Sequence, residues 1–80
     1  MPATKQTRPL SEIAAEIEAT WAAPYFGAMP YIAAMLQLDK ITGNYYADSA
    51  DSIVRYFLSN ATTWRGEDAR RIKAELKAML

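Results

Sequence analysis

In three separate stretches of this chain the apolar residues recur at intervals of three and four, and no stretch alternates apolar with polar over the length of a strand. That spacing follows the 3.6-residue turn of a helix, so it commits the backbone to helices that each bury one face. Size sharpens the constraint. With 80 residues and no cysteine, the chain has no thiols for disulfides or metal sites and must close its core by packing helix on helix or by associating. A chain this short buries only about 60% of the surface its unfolded form exposes, so a homo-oligomer is one open option from the outset.

Leu10, Ile13, Ala14, Ile17 and Trp21 share one side of a helix expected over residues 9–22, with Pro9 in its first turn and Glu12, Glu16 and Glu18 facing elsewhere. Pro24, Gly27 and Pro30, set among aromatic residues, stop this helix. A second helix, residues 30–41, is apolar on most sides through Tyr31, Ile32, Met35, Leu36 and Leu38 and reads as central and heavily buried. A start at Pro24 with a kink at Pro30 is left open. Thr42-Gly43-Asn44 is a helix-stop signal, and Tyr45 and Tyr46 follow in a loop.

Asp48 and Ser49 offer N-caps for a third helix, residues 49–60, whose stripe runs through Ala50, Ile53, Val54, Phe57, Leu58 and Ala61. Asp51 and Arg55 stand one turn apart on its outer side, acid before base. A fourth helix, residues 67–80, opens on Glu67 and Asp68, aligns Ala69, Ile72, Leu76 and Met79 on one face, and carries Lys73 and Lys77 toward its end. The expected architecture is all-α, a compact bundle of about four short helices without a sheet. It forms a single domain over residues 8–80 behind a flexible polar leader, residues 1–7.

Nine basic and nine acidic residues cancel to a formal net charge of zero, so no overall field draws the chain to nucleic acid or an anionic membrane. No apolar run is long enough for a secretory signal or a membrane span, which predicts a cytoplasmic protein and makes the sequon at Asn60 incidental. With neither histidine nor cysteine, the chain lacks the commonest general base, metal ligand and thiolate nucleophile. A non-enzymatic protein without metal or cofactor is expected. Glu12 and Glu16, one turn apart, could share a divalent ion, but a solvated acidic face is the plainer reading. Gly27, Gly43 and Gly66 are too far apart to cradle a phosphate, and Ser11, Ser49, Ser52 and Ser59 read as caps and exposed positions.

Two working surfaces remain as candidates. Tyr45, Tyr46, Trp64 and Arg65 are residue types that anchor protein interfaces, although a core short of bulk is expected to claim Trp64, as it does Trp21. Arg65, Arg70, Arg71, Lys73 and Lys77 crowd the last sixteen residues and form a candidate nucleic-acid contact, against an ordinary solvated face in which Glu67 pairs with Arg71.

The stretches Tyr25 to Tyr31, Tyr45 to Ser52, Tyr56 to Gly66 and Ala69 to Leu76 resemble a group of short uncharacterised proteins encoded by bacteriophages and integrative mobile elements, with the Thr63-Trp64-Arg65-Gly66 turn the most distinctive piece. The resemblance spans most of residues 8–80 and implies a phage or mobile-element origin, without an activity to carry over. The combined expectation is an accessory protein that binds a host or self protein, with nucleic-acid association as the alternative.

Overall fold

The computed structural model describes residues 8–80, so the polar leader expected over residues 1–7 lies outside the described residues. Four helices in chain order form a mostly helical bundle: α1 (Leu10–Thr20), α2 (Met29–Met35), α3 (Ala50–Ser59) and α4 (Glu67–Ala78). Each is shorter than its apolar spacing allowed.

The first helix buries Leu10, Ile13, Ala14 and Ile17. Pro9 caps it rather than entering it, and the first two helical N–H groups are satisfied from far along the chain. Leu10 N donates to the Asp39 carbonyl at 2.8 Å and Ser11 N to the Leu38 carbonyl at 2.9 Å. These bonds also explain why α2 stops near Met35 instead of continuing to residue 41. In a longer helix the carbonyls of Leu38 and Asp39 would point along its own axis. Instead the chain tightens through i−3 bonds at Gln37 and Leu38 and turns those carbonyls toward α1.

The start near Pro30 holds, and the alternative start at Pro24 does not. A 3-10 turn, Phe26–Ala28, feeds directly into Met29, with Pro30 in the first turn, where no N–H is needed. The expectation of an enclosed second helix is also corrected. The domain measures 36 × 32 × 18 Å. A thickness of less than two helix diameters of about 10–12 Å leaves every helix one side in solvent. Ile32, Ala34 and Met35 face the core, while Met29, Pro30, Ala33 and Gln37 are exposed.

A short antiparallel hairpin replaces the expected plain loop, with β1 (Asn44–Tyr45) paired to β2 (Asp48–Ser49). Strands of two residues are too short to leave an alternating pattern in sequence. The Ser49 hydroxyl accepts from Ser52 N and caps α3, and Ala50 N donates to the Gly43 carbonyl at 2.8 Å.

The core gathers the buried faces of all four helices around three aromatic rings. Trp21 stacks on Trp64 with centroids 5.2 Å apart and planes 11° apart, and Phe57 meets both edge-on at 6.3 and 6.4 Å. Trp64, considered above as an interface residue, is therefore only 4% exposed and its ring is closed to a partner.

Removing the buried Trp64 ring leaves a large void in this small core. Trp64→Ala is expected to lower stability by about 3–5 kcal/mol, measured by urea unfolding followed by helical circular dichroism. A second position fails for a backbone reason. Gly66, which caps α4, has φ of 113° and ψ of −179°, a region open essentially to glycine alone, and nothing lies within 4 Å of where a Cβ would sit. Gly66→Ala is therefore expected to cost about 1–3 kcal/mol through strain without any clash, read as a lower melting temperature.

Candidate interaction surfaces

The charged residues do not spread evenly. Arg8 sits at the head of α1 and binds across it to α4. Its Nε and Nη2 donate to the two Glu75 carboxylate oxygens at 2.9 and 2.7 Å, and Nη1 lies 2.8 Å from Glu16 Oε1 as an ion pair without an aligned hydrogen bond on that oxygen. Arg71 Nη2 closes the network at 2.6 Å from Glu16 Oε2 and 3.0 Å from Asp68 Oδ1.

Glu12 and Glu16, considered above as ligands for a divalent ion, thus both face Arg8, the former at 3.6 Å. Among the described residues no group of three or more acidic side chains is placed to hold a metal ion. The expected Glu67–Arg71 pair is replaced by Asp68 and Glu16, because Glu16 comes within reach only when α1 packs on α4.

The basic face of α4 is correspondingly thinner than its sequence suggests. Arg71 is held in the network, and Lys73 is half-buried with Nζ donating to the Trp64 carbonyl at 2.7 Å. Burial, with Lys77 and Arg65 nearby, holds the Lys73 ammonium below its ordinary pKa. Arg65, Arg70 and Lys77 remain exposed.

The two tyrosines of the hairpin part company. Tyr45 is half-buried against the core, whereas Tyr46 is 87% exposed and takes a φ of 55°. For a bulky side chain this left-handed conformation is an outlier costing about 1–2 kcal/mol. The rings meet edge to face with centroids 4.8 Å apart.

A larger surface was missed by sequence reasoning. From Ala19 to Leu38 there is no charged side chain, and yet this stretch is not all core. Phe26 is 76% exposed, Met29 53% and Tyr25 45%, and on α3 Tyr56 is 51% exposed. α2 and α3 run antiparallel here. Tyr31 meets Tyr56 with ring centroids 5.6 Å apart, and a Cβ on Gly27 would fall 2.6 Å from the Tyr25 ring and 2.9 Å from Asn60 Oδ1. Gly27 is thus glycine so that Tyr25 can fold over it toward Asn60. The available signal was the unbroken run of twenty uncharged residues, too long for a core element of a domain 18 Å thick.

Elsewhere an open groove of about 300 Å³ is lined by Arg8, Pro9, Asp39, Lys40, Ile41, Thr42 and Met79. It shares Ile41, Thr42 and Met79 with a neighbouring depression of about 410 Å³ that reaches Asp51, Arg55 and Leu80. Its lining mixes both signs of charge without a nucleophile–base pair. Among the described residues no helix is long and apolar enough to cross a membrane. No protein-family model, curated protein or solved structure matches this chain.

The ionic network makes stability depend on pH in a defined direction. The hydrogen bond from Arg71, with the Arg8 guanidinium paired to the other oxygen, holds the Glu16 carboxyl below the usual carboxylate range. Its contribution is therefore complete above the unfolded pKa of about 4.3 and is lost as pH falls through the lower folded value. Thermal melts from pH 7 to pH 2 should show the gap between the native chain and Glu16→Gln closing only on this acid limb. A gap that stays constant to pH 2 would contradict the network.

Proposed function

We propose that this chain is a non-enzymatic protein-interaction module that docks through the uncharged aromatic surface of Tyr25, Phe26, Met29 and Tyr56, with Tyr46 at the hairpin tip as a second contact. The observation that carries the reading is Phe26, an aromatic ring 76% exposed with its centroid 5.0 Å from that of the exposed Tyr25. Scattered single exposed hydrophobics are ordinary, whereas contiguous aromatic ones mark contact surfaces. Aromatic residues and methionine are the types enriched at the centre of interfaces, where charge is depleted.

Tyr46 supports the same reading from the backbone. A strained, almost fully exposed tyrosine contributes little to the fold that holds it, and such outliers cluster at binding positions. The resemblance to phage and mobile-element proteins fits an accessory role in a host cytoplasm, directed at a host or self protein. The nucleic-acid reading has less behind it. It retains Arg65, Arg70 and Lys77 as unengaged exposed cations, while Arg71 is paired at the surface with Glu16 and Asp68 and Lys73 donates to the Trp64 carbonyl.

The test is site-specific photo-crosslinking. A photoreactive phenylalanine analogue at Phe26 is expected to give a defined protein adduct, the same analogue at Tyr46 a weaker one, and at exposed Glu18 or Ala74 none. Equal labelling at all four positions, or none at any, would remove the reading.

A further inference from the structure

We infer that α4 carries a second contact surface, separate from the aromatic one, in which Arg65, Arg70, Lys73 and Lys77 lie along the phosphate backbone of duplex nucleic acid without reading its bases. The inference goes beyond the interaction-module reading and does not rest on it.

Three rows spaced i, i+3, i+7 run side by side along α4, and the fold spends them differently. Asp68, Arg71 and Glu75 join the ionic network toward α1. Ala69, Ile72 and Leu76 are buried. Arg70, Lys73 and Lys77, on the other side of that buried row, are cations alone. Among the described residues none of them, nor Arg65 in the preceding turn, enters an ion pair, whereas Arg8, Arg55 and Arg71 all do. Residues 1–7 contain no acid that could neutralise the row. A chain of zero net charge thus keeps its unneutralised cations together on one flank.

The row is also partly fixed in place. Lys73 Nζ gives one N–H to the Trp64 carbonyl at 2.7 Å and has two donors left over. Burial, then Lys77 and Arg65, lower its pKa, and the repulsion among these three cations is what a bound anion would relieve.

The partner follows from what the row lacks. A protein partner would need apolar or aromatic anchors, because exposed ion pairs add little by themselves. Here the Trp64 ring is 4% exposed and the exposed neighbours on the outer side of α4 are Ala74 and Ala78. A bilayer surface takes an amphipathic helix by its apolar face, and that of α4 is spent in the core. Single-stranded nucleic acid is held by rings on which bases stack, and the row has none. A duplex needs neither. It carries a charge about every 1.7 Å of axis and releases condensed counterions to cations that meet it. Arg70 to Lys77 spans about 10 Å of helix, the axial length of three phosphates on one strand. With no long-range field to gather the partner, the contact depends on these few phosphates and therefore on salt.

The test is the fluorescence anisotropy of labelled mixed-sequence duplex DNA titrated with the full chain. From about 20 to about 200 mM salt, log K should fall against log salt with a slope of about −3.6 for four phosphate contacts, a loss of more than about 10³-fold. Two unrelated sequences should bind alike. Combining Arg70→Ala with Lys77→Ala should bring the slope to about −1.8, and Arg65→Ala, outside the helix, should reduce it by about 0.9, with helical circular dichroism unchanged in both. Arg55→Ala, which takes a cation from the Asp51 pair on α3, should leave the slope as it is. No binding at the lowest salt, tighter binding to the single strand, retention by phosphatidylserine vesicles in place of DNA, or an equal effect of Arg55→Ala would each overturn the duplex contact. None of these outcomes bears on the crosslinking test at Phe26, so the two readings fail separately.

Discussion

Three rings, Trp21, Phe57 and Trp64, meet where the end of α1, the middle of α3 and the approach to α4 converge. A bundle with no disulfide and an 18 Å thickness has few places where one contact can tie three segments together, and the stacked tryptophan pair supplies one. Two consequences follow from it. The turn through Trp64 must hold its backbone in place, which the Lys73 ammonium does by donating to the Trp64 carbonyl. The chain must then reverse into α4 within two residues, which requires the positive φ of Gly66. The Thr63-Trp64-Arg65-Gly66 turn, distinctive as sequence, is thereby accounted for as packing and backbone geometry.

Around this centre the helices are held at their ends as much as along their faces. Leu38 and Asp39 lend their carbonyls to the start of α1, and Arg8 with Arg71 binds the acidic side of α1 to α4 through Glu16 and Glu75. Glu16 from the acidic side of α1 and Arg71 from the basic side of α4 meet in one ionic seam, while Arg65, Arg70 and Lys77 stay exposed. Away from this seam, uncharged side chains are left to solvent at Tyr25, Phe26, Met29 and Tyr56. The same thinness that obliges the domain to use rings as ties also leaves α2 too little neighbouring mass to cover its outer side.

The helices were legible because helical burial repeats every three to four residues, and Ile13, Ile17, Val54, Phe57, Ile72 and Leu76 stand at those intervals and are buried. The caps were partly legible, since Ser49 works through its own side chain within one turn. The length of α2 was not, because it is decided by bonds between residues 10–11 and 38–39. The hairpin was too short to alternate. The candidate surface was concealed by a reasonable inference, that an apolar helix is a buried one, which holds only when the domain is thick enough to surround it.

Local sequence therefore determined the number of helices, the faces they bury and the residues that cap or start them, because these depend on neighbours within about two turns. Tertiary structure alone decided which charges are spent and which apolar side chains are left over. Glu16 finds Arg71 only through the packing of α1 on α4, and Phe26 is left exposed on a bundle 18 Å thick. Pairing and exposure are properties of distance between segments, and a linear pattern carries no such distance.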